Sequence, residues 1–306
     1  MKRNDKPTLL RTIYFVIVMI IRNIRWAFIL LFMGSKRPWK VLGKYQMYLS
    51  ATKAGLDPKG KSLRKQLILD GIRERNSTKI MMDFIEPDDV VLELGANRGY
   101  YVLIEADKLS DKGYIYAVEP GPLNYEILKR NISLNNIKNV EVSNLAISDK
   151  KGTAKLYMGQ ACNLHSLIKS KHDSEEDFVE VQTDTVDNFL KGKKPVTFLR
   201  MDIEGFETEL VDGMRETLKS KHFTKMFVEI HPHRVTEDKM KNFLQALQDN
   251  GFELEHAVYR DTFERYTLGQ SRIEQMTLSE LMKDERVVED KIGFQLFLRK
   301  ANPQLN

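Results

Sequence analysis

Residues 90–99, Val90-Val91-Leu92-Glu93-Leu94-Gly95-Ala96-Asn97-Arg98-Gly99, constrain the fold more than any other stretch of this chain. The apolar run is too short for a helix and reads as a buried strand. It enters a glycine turn, and a helical pattern opens at Tyr100. Gly95 permits a tight turn and lets a ligand approach the backbone. Glu119 lies 24 residues beyond Gly95, at the end of a second strand and just before Pro120. Open α/β sheets bind ligands outside the carboxyl ends of their strands. A carboxylate at that edge accepts hydrogen bonds from both hydroxyls of a ribose.

The strand-then-helix pattern continues, the signature of a parallel sheet covered on both faces. Strands are predicted over 89–94, 114–119, 140–142, 197–202 and 225–230, with helices near 100–109, 122–134, 205–218 and 237–249. Segments 145–148 and 153–158 read as an added hairpin across Asp149-Lys150-Lys151-Gly152. Strands 252–258 and 293–298 lack a convincing helical crossover, so they are expected to pair antiparallel at the end of a mostly parallel sheet. Apolar positions between 62 and 85 predict one or two helices, and 35–61, broken by Gly43, Gly55, Pro58 and Gly60, reads as a linker with a short helix. The expected organisation is an N-terminal segment and linker, 1–61, followed by one α/β domain, 62–306.

Charge excludes one function class. The 306 residues carry a net +5, but residues 1–40 hold nine Lys or Arg against Asp5 alone, leaving the other 266 residues at −3. A nucleic-acid groove belongs in the folded domain, which is mildly acidic, so no nucleic-acid partner is expected. Cys162 is the single cysteine, which rules out an internal disulfide framework and fits a cytosol-facing compartment.

The basic segment is also apolar. Residues 13–21 and 26–33 are unbroken apolar runs separated by Arg22-Asn23-Ile24-Arg25. Neither run spans a bilayer alone, which takes about 20 apolar residues; joined, they place two arginines near its centre. At about 100° per residue Arg11, Arg22, Arg25 and Lys36 share one narrow stripe. Such a helix is expected in the membrane interface, arginines among headgroups and Trp26 at headgroup level, with Lys2, Arg3, Lys6, Lys36, Arg37 and Lys40 favouring anionic lipid. A signal peptide is the competing reading, but no A-x-A-like site follows. A helix packed on the domain or a partner is the plainer one. Spanning and in-plane placements both stand.

Two ligands share the geometry of the glycine turn. A dinucleotide's pyrophosphate wants G-x-G-x-x-G with a helix N-terminus aimed at it. The pattern here is G-x-N-x-G. S-adenosylmethionine has no phosphate to cradle, and its aminoacyl end tolerates a polar side chain nearby. The spacing therefore favours the methyl donor, with a nicotinamide-dependent oxidoreductase as the alternative.

With these elements read, the chain resembles the FkbM family of methyltransferases. The residues carrying the resemblance are LELGANRGYY (92–101), YAVEPGPLNYEILKRNI (116–132), NLAISD (144–149), FLRMDIEGFETELVDG (198–213) and FVEIHPH (227–233). It implies a Rossmann-like, seven-stranded methyltransferase fold with S-adenosylmethionine as donor. Gly95, Asn97 and Gly99 would line the aminoacyl end and Glu119 the ribose, with 144–148 beside the adenine. Glu93, Tyr100, Pro120, Ala146 and Asp202 complete the expected donor site. Members often methylate hydroxyls of sugars, glycolipids or polyketide-like products.

On the acceptor side, the fourth strand ends in Asp202-Ile203-Glu204 and the fifth in Glu229-Ile230-His231. Adjacent parallel strands bring Asp202, Glu204, Glu229 and His231 to the donor edge, with Glu229 and His231 on one strand face. Methyl transfer needs the acceptor oxygen held in line and its proton taken, by Asp202 or His231. A carboxylate cluster also favours the positive sulfonium. Asp202, Glu229 and His231 are equally ligands for a divalent cation that acidifies a diol. The plainer reading has Asp202 and Glu204 capping the following helix. His165, in the loop after the hairpin, is expected to face the acceptor or merely solvent; His172, His222 and His256 show no ligand spacing. The expected protein is a membrane-associated O-methyltransferase, its catalytic domain cytoplasmic, acting on a glycan or lipid-linked acceptor. A non-catalytic, membrane-tethered module of the same fold is the remaining alternative.

Overall fold

The computed structural model describes residues 7–32, 37–49, 61–159, 164–169, 177–259 and 261–301. Lys2, Arg3, Lys6, Lys36, Gly55, Pro58, Gly60, Cys162 and His172 lie outside the described residues. The chain opens with α1 (Leu9–Phe32), a hairpin of β1 (Trp39–Val41) and β2 (Tyr45–Met47), then α2 (Lys61–Asp70) and α3 (Arg75–Phe84). The alternating core follows as β3 (Val90–Leu94), α4 (Tyr100–Lys108), β4 (Tyr114–Val118), α5 (Pro122–Leu134) and β5 (Val140–Ser143). An insertion holds β6 (Ala146–Ile147), β7 (Gly152–Tyr157), β8 (Phe178–Asp184) and α6 (Val186–Phe189). The second half runs β9 (Phe198–Met201), α7 (Arg215–Lys219), β10 (Lys225–Ile230), α8 (Glu237–Asp249), β11 (Phe252–Tyr259) and α9 (Phe263–Thr267). It closes with β12 (Arg272–Glu274), α10 (Leu278–Leu281), α11 (Glu285–Val288) and β13 (Phe294–Lys300).

Among the described residues the main sheet runs β12-β11-β13-β10-β9-β3-β4-β5. Strands β5, β4, β3, β9 and β10 are parallel neighbours, and β13 inserts antiparallel between β10 and β11. This is the expected Rossmann-like seven-stranded arrangement, with β12 added antiparallel at one edge. All five residues of β3 are buried, as a strand covered on both faces requires. Alternate side chains feed opposite layers: Val90, Leu92 and Leu94 join one core, and Val91 joins the other with Phe84, Phe198, Phe227 and Phe297. Phe227 stacks on Phe297 at 4.2 Å, and Phe84 meets Phe198 edge-on at 5.6 Å. Helix starts follow local chemistry: Pro122 opens α5, and the Thr236 hydroxyl accepts from the Lys239 amide to cap α8.

Three expectations are corrected. Segments 145–148 and 153–158 do not pair with each other; β6 (parallel) and β7 (antiparallel) both pair with β8, a strand the sequence reading missed. The expected helix at 205–218 is broken into 3-10 turns at Phe206–Glu209 and Asp212–Met214 before α7. Glu204 and Gly205 take φ of 56° and 100°, a left-handed pair that no α-helix accommodates. Residues 37–49 of the expected linker form the β1–β2 hairpin, built into the core through Val41, Met47 and Leu49, each at most 1% exposed, and 50–60 lie outside the described residues.

The N-terminal helix differs most. The stripe at Arg11 and Arg22 faces the domain instead of lipid headgroups. Arg22 is ion-paired with Asp70 of α2 and lies 3.6 Å from the Phe263 ring centroid, and the Arg11 guanidinium reaches the Leu268 carbonyl at 3.4 Å. Trp26 is buried, with Arg64 5.5 Å from its ring, rather than standing at headgroup level. A helix with one polar stripe hides it where carboxylates and carbonyls wait. Apolar side chains remain outside.

Candidate active site

The carboxyl ends of β3, β4 and β9 surround one pocket of about 900 Å³, partly open to solvent. Gly95 turns at φ 79°, and a Cβ there would lie 2.0 Å from the Asp202 carbonyl oxygen. The glycine therefore lets β3 and β9 close on each other at the point where their loops begin. Asn97, at φ 50°, aims its amide at Glu119, whose Oε2 accepts at 2.7 Å. The other oxygen of Glu119 accepts from the Gly121 amide at 2.8 Å. Burial pushes the Glu119 carboxyl up to about 7, against the pull of those two amides. A Cβ on Gly121 would sit 2.8 Å from Glu119 Oε1 and 3.0 Å from His165 Nδ1. Its absence keeps the space before the carboxylate open for a ligand's hydroxyls.

Of the expected donor residues, Glu93, Gly95, Asn97, Tyr100, Glu119, Pro120, Ala146 and Asp202 line the pocket. Gly99 does not; its missing Cβ would meet Leu128 Cδ1 at 2.7 Å, so this glycine serves packing of α4 on α5. Ile147 lines the pocket beside Ala146, and the Asn144 side chain donates to the Glu119 carbonyl at 2.9 Å. That holds the 144–148 turn against β4.

Arg200 enters from below, in the middle of an otherwise apolar strand. It donates to Glu93 at 2.7 Å and to Asp202 at 3.2 Å, and its guanidinium lies 4.0 Å from the Tyr101 ring centroid. Burial pushes Glu93 up to about 7, offset in part by Arg200. Beneath it, burial and then the Glu93 charge raise the Glu105 carboxyl well above its ordinary value. The floor is a compensated buried network that fixes Asp202 at the pocket edge.

All four expected acceptor-side residues meet here. His231 Nε2 lies 3.6 Å from Glu204, 3.9 Å from Glu229 and 4.0 Å from Asp202. Asp202 and Glu204 line the pocket, whereas His231 and Glu229 stand behind them. His231 Nδ1 is bonded to Glu207 at 3.0 Å, and Glu207 also accepts from the Ile203 amide at 3.2 Å. Burial works to lower the His231 pKa, but Glu207 foremost, then Glu204 and Glu229, carry it well above the usual value. The carboxylates around it favour the charged form of the ring. Burial likewise lifts Glu204 to about 7 and Glu229 to about 8.

Ligand atoms of Asp202, Glu204 and His231 lie within 4.8 Å of one another, a span a divalent cation would fit by distance alone. Glu204, however, already pairs with Arg234 at 3.2 Å, so a cation there would have to displace Arg234 from the cluster.

Several pocket residues escaped the sequence reading. Met47, Leu67 and Arg73 roof the pocket from the hairpin, α2 and the turn after it. Arg73 is half-buried and paired with Glu74; burial would lower its pKa, but Glu74 raises it above the ordinary value. Arg98 donates to the Leu49 carbonyl at 2.5 Å and to Asn124 at 3.2 Å, tying the roof to the donor loop. His165, expected to face the acceptor or solvent, lines the pocket on the Glu119 side instead, and the neighbouring Ser166 hydroxyl donates to the Glu204 carbonyl at 2.8 Å. Only Arg200 had a sequence signal, an arginine inside a buried strand.

Comparison with known proteins bears on this site. A crystal structure of methyltransferase FkbM from Methylobacillus flagellatus KT is similar at 17% identity, covering 56% of this chain and 41% of that one, with a TM-score of 0.40. Aeropyrum pernix fibrillarin, in complex with natively bound S-adenosyl-L-methionine, is similar at 14% identity over 73% of this chain and 74% of that one, with a TM-score of 0.40. An uncharacterized protein of Methanocaldococcus jannaschii is 36% identical over 58 residues, 19% of this chain and 21% of that protein. The chain thus spans about a fifth of that relative's length and 41% of the first structure's. The Methyltransferase FkbM domain family matches residues 93–254, from the β3 carboxylate to the start of β11 and more than half of the sequence. That match takes in Gly95, Glu119, Asp202 and His231 together and sets the nicotinamide alternative aside: the chain belongs to the FkbM methyltransferase family.

Proposed function

We propose that the protein transfers a methyl group from S-adenosylmethionine to a hydroxyl of a sugar, glycan or glycolipid at a membrane surface. The observation that carries this reading is the layout of one pocket. Glu119, with open space before it, stands at one end, and Asp202, fixed by Arg200, stands at the other. Bound there, the donor supplies a methyl on a sulfonium that departs readily as a thioether.

Glu119 binds the ribose hydroxyls, and Asn97 and Gly95 take the aminoacyl end. Asp202 accepts the acceptor's proton as the new O–CH3 bond forms and the S–CH3 bond breaks, leaving a methyl ether and S-adenosylhomocysteine. Asp202 lines the pocket and His231 stands behind it, which favours Asp202 as the base and leaves His231 to hold Glu204, Glu229 and Asp202 in place. The carboxylates of the edge favour the positive sulfonium. No step is routed through a divalent cation. Carboxylates and buried polar groups around the acceptor edge suit a polyol, whose hydroxyls donate to them.

The membrane part of the reading rests on α1, whose residues Leu9–Ile29 are long and apolar enough to cross a bilayer. Arg11 and Arg22 face the domain; the other seven basic residues of the first 40 would favour anionic lipid and support a catalytic domain on the cytoplasmic side. The net charge of −3 over residues 41–306 argues against a nucleic-acid partner.

Calorimetric titration of S-adenosylmethionine into the full chain in mild detergent, with NAD run in parallel, tests the donor. Binding in the micromolar range that Glu119→Ala abolishes supports the proposal. Binding without turnover on any polyol acceptor would favour the non-catalytic module. Failure of S-adenosylmethionine to bind would sink the methyltransferase reading.

A further inference from the structure

Helix α1 turns different faces to different surroundings. At about 100° per residue, Phe15, Val18, Met19, Arg22 and Trp26 share one side, and all five are buried or half-buried. Ile13, Ile17, Ile20, Ile24 and Leu31 share the opposite side, 48%, 51%, 54%, 65% and 76% exposed. Building on the membrane reading above, we infer that α1 lies in the plane of an anionic bilayer surface, its apolar side down and the methyltransferase domain seated on its polar side, and that it does not cross.

The contacts with the domain exclude a crossing. They begin at Arg11, which reaches Leu268 beyond α9, and continue through Arg22 with Asp70 and Phe263. They end at Asn23, which accepts from Lys65 at 2.7 Å, and Trp26, which packs under Arg64. From Arg11 to Trp26 the helix rises about 22 Å, most of a hydrocarbon core about 30 Å thick. A helix standing across the bilayer would draw α2 and α9 into hydrocarbon with Lys65, Asp70, Glu264 and Arg265, none of which tolerates that solvent. Lying flat, the same helix keeps every one of these groups on the water side.

The breadth of the exposed face selects lipid over a second copy of the chain. It runs from Val16 through Ile20 to Tyr14, an arc of about 160° at helical spacing, and Val16, Ile20 and Tyr14 are 49%, 54% and 59% exposed. A two-helix seam is narrower and would leave both margins in water. A bilayer interface takes the whole arc. Arg25 is exposed at its margin, and Arg37 and Lys40 are exposed just beyond, where anionic headgroups would meet them. Leu67 of α2 lines the pocket while Arg64, Lys65 and Asp70 of the same helix hold α1, so one wall of the pocket is carried by the helix that seats α1.

The test uses the full chain with Cys162→Ser and the pair Thr8→Cys and Arg37→Cys, reconstituted in sealed phosphatidylcholine vesicles with or without phosphatidylglycerol. An impermeant maleimide is added outside, and labels per molecule are counted by mass spectrometry. An in-plane helix gives molecules carrying two labels or none, whichever way each faces. It also gives sedimentation that is stronger with phosphatidylglycerol and abolished by Ile17→Asp with Ile24→Asp, a variant that keeps the parent's circular dichroism. Single-labelled molecules would mean a crossing helix and overturn the inference while leaving membrane association intact. No sedimentation with either vesicle would overturn both, and a dimer in solution dissolved by the same double variant would assign the face to a second copy.

Discussion

Arg200 and Asp202, two positions apart across the end of β9, are joined by a 3.2 Å hydrogen bond that runs from the protein's interior to the pocket edge. The guanidinium is 3% exposed and the carboxylate 17%, so the acid has one oxygen committed to the interior and one turned outward. Replacing Arg200 with Met leaves Glu93 and Asp202 without their cation. Breaking a buried pair in this way typically costs about 3–5 kcal/mol, so the variant should unfold at markedly lower denaturant. Arg200→Lys restores charge without the fork; it should fold, bind donor normally and turn over slowly. Urea titration and single-turnover kinetics of the two variants check this.

Asp202→Asn keeps the shape of the site and removes the proton acceptor. The expected loss in kcat is about 10²- to 10⁴-fold, with donor affinity changed only a few-fold. His231→Gln should act differently. It removes a charge that holds three carboxylates, so its loss should appear first in stability. A variant at His231 that lost as much kcat as Asp202→Asn with unchanged stability would return the base role to histidine.

Chelation separates the acid cluster from a metal site. Because Arg234 already pairs with Glu204, dialysis against EDTA should leave donor binding and turnover where they were, and added Mg²⁺ should not raise them. Activity abolished by EDTA and restored by Mg²⁺ would show that the cation displaces Arg234.

Burial pushes Glu93, Glu119 and Glu204 up to about 7 and Glu229 to about 8. Each is raised in the folded chain above the ordinary carboxyl value, so the unfolded chain releases its protons first. The stabilisation they give is full below about pH 4.3, where unfolded glutamates are protonated. It is lost as pH rises through 7 to 8. The ligand-free protein should therefore melt lower at pH 8 than at pH 5.5, and Glu119→Gln should flatten that slope. Donor binding should run the opposite way, weakening below pH 7 as Glu119 loses its charge.

Much of this was legible in the sequence because burial on both faces leaves a simple signal. The largely apolar 90–94 and 225–230 segments gave element positions that the structure repeats. The β8 strand was missed because its alternation, FVEVQTD, was overlooked between charged loops. The helix expected at 205–218 failed because periodicity cannot register the left-handed turn at Glu204 and Gly205. The donor loop and the acid edge were found from single strands, whereas the roof was not. Met47, Leu67 and Arg73 reach the pocket through tertiary packing of a segment that reads locally as linker. The upward shift of His231 was equally out of reach, since it depends on Glu207 arriving from a broken helix.

Gly121→Ala probes the donor end without straining the backbone. Gly121 has φ −68°, which alanine adopts freely, so any cost to stability comes from the Glu119 and His165 side chains that the methyl would displace and should be smaller than the loss of donor affinity. The new methyl, however, would stand 2.8 Å from Glu119 Oε1 and 3.0 Å from His165 Nδ1, in the space through which ribose hydroxyls must reach the carboxylate. Overpacking of this kind costs about 1–3 kcal/mol, roughly a ten- to hundred-fold loss of donor affinity. Calorimetry against the parent, with a thermal melt on the same sample, reads both quantities. Unchanged affinity would mean that the donor's ribose does not approach Glu119 from this side. A loss of affinity that matches a loss of stability would trace the effect to the fold instead.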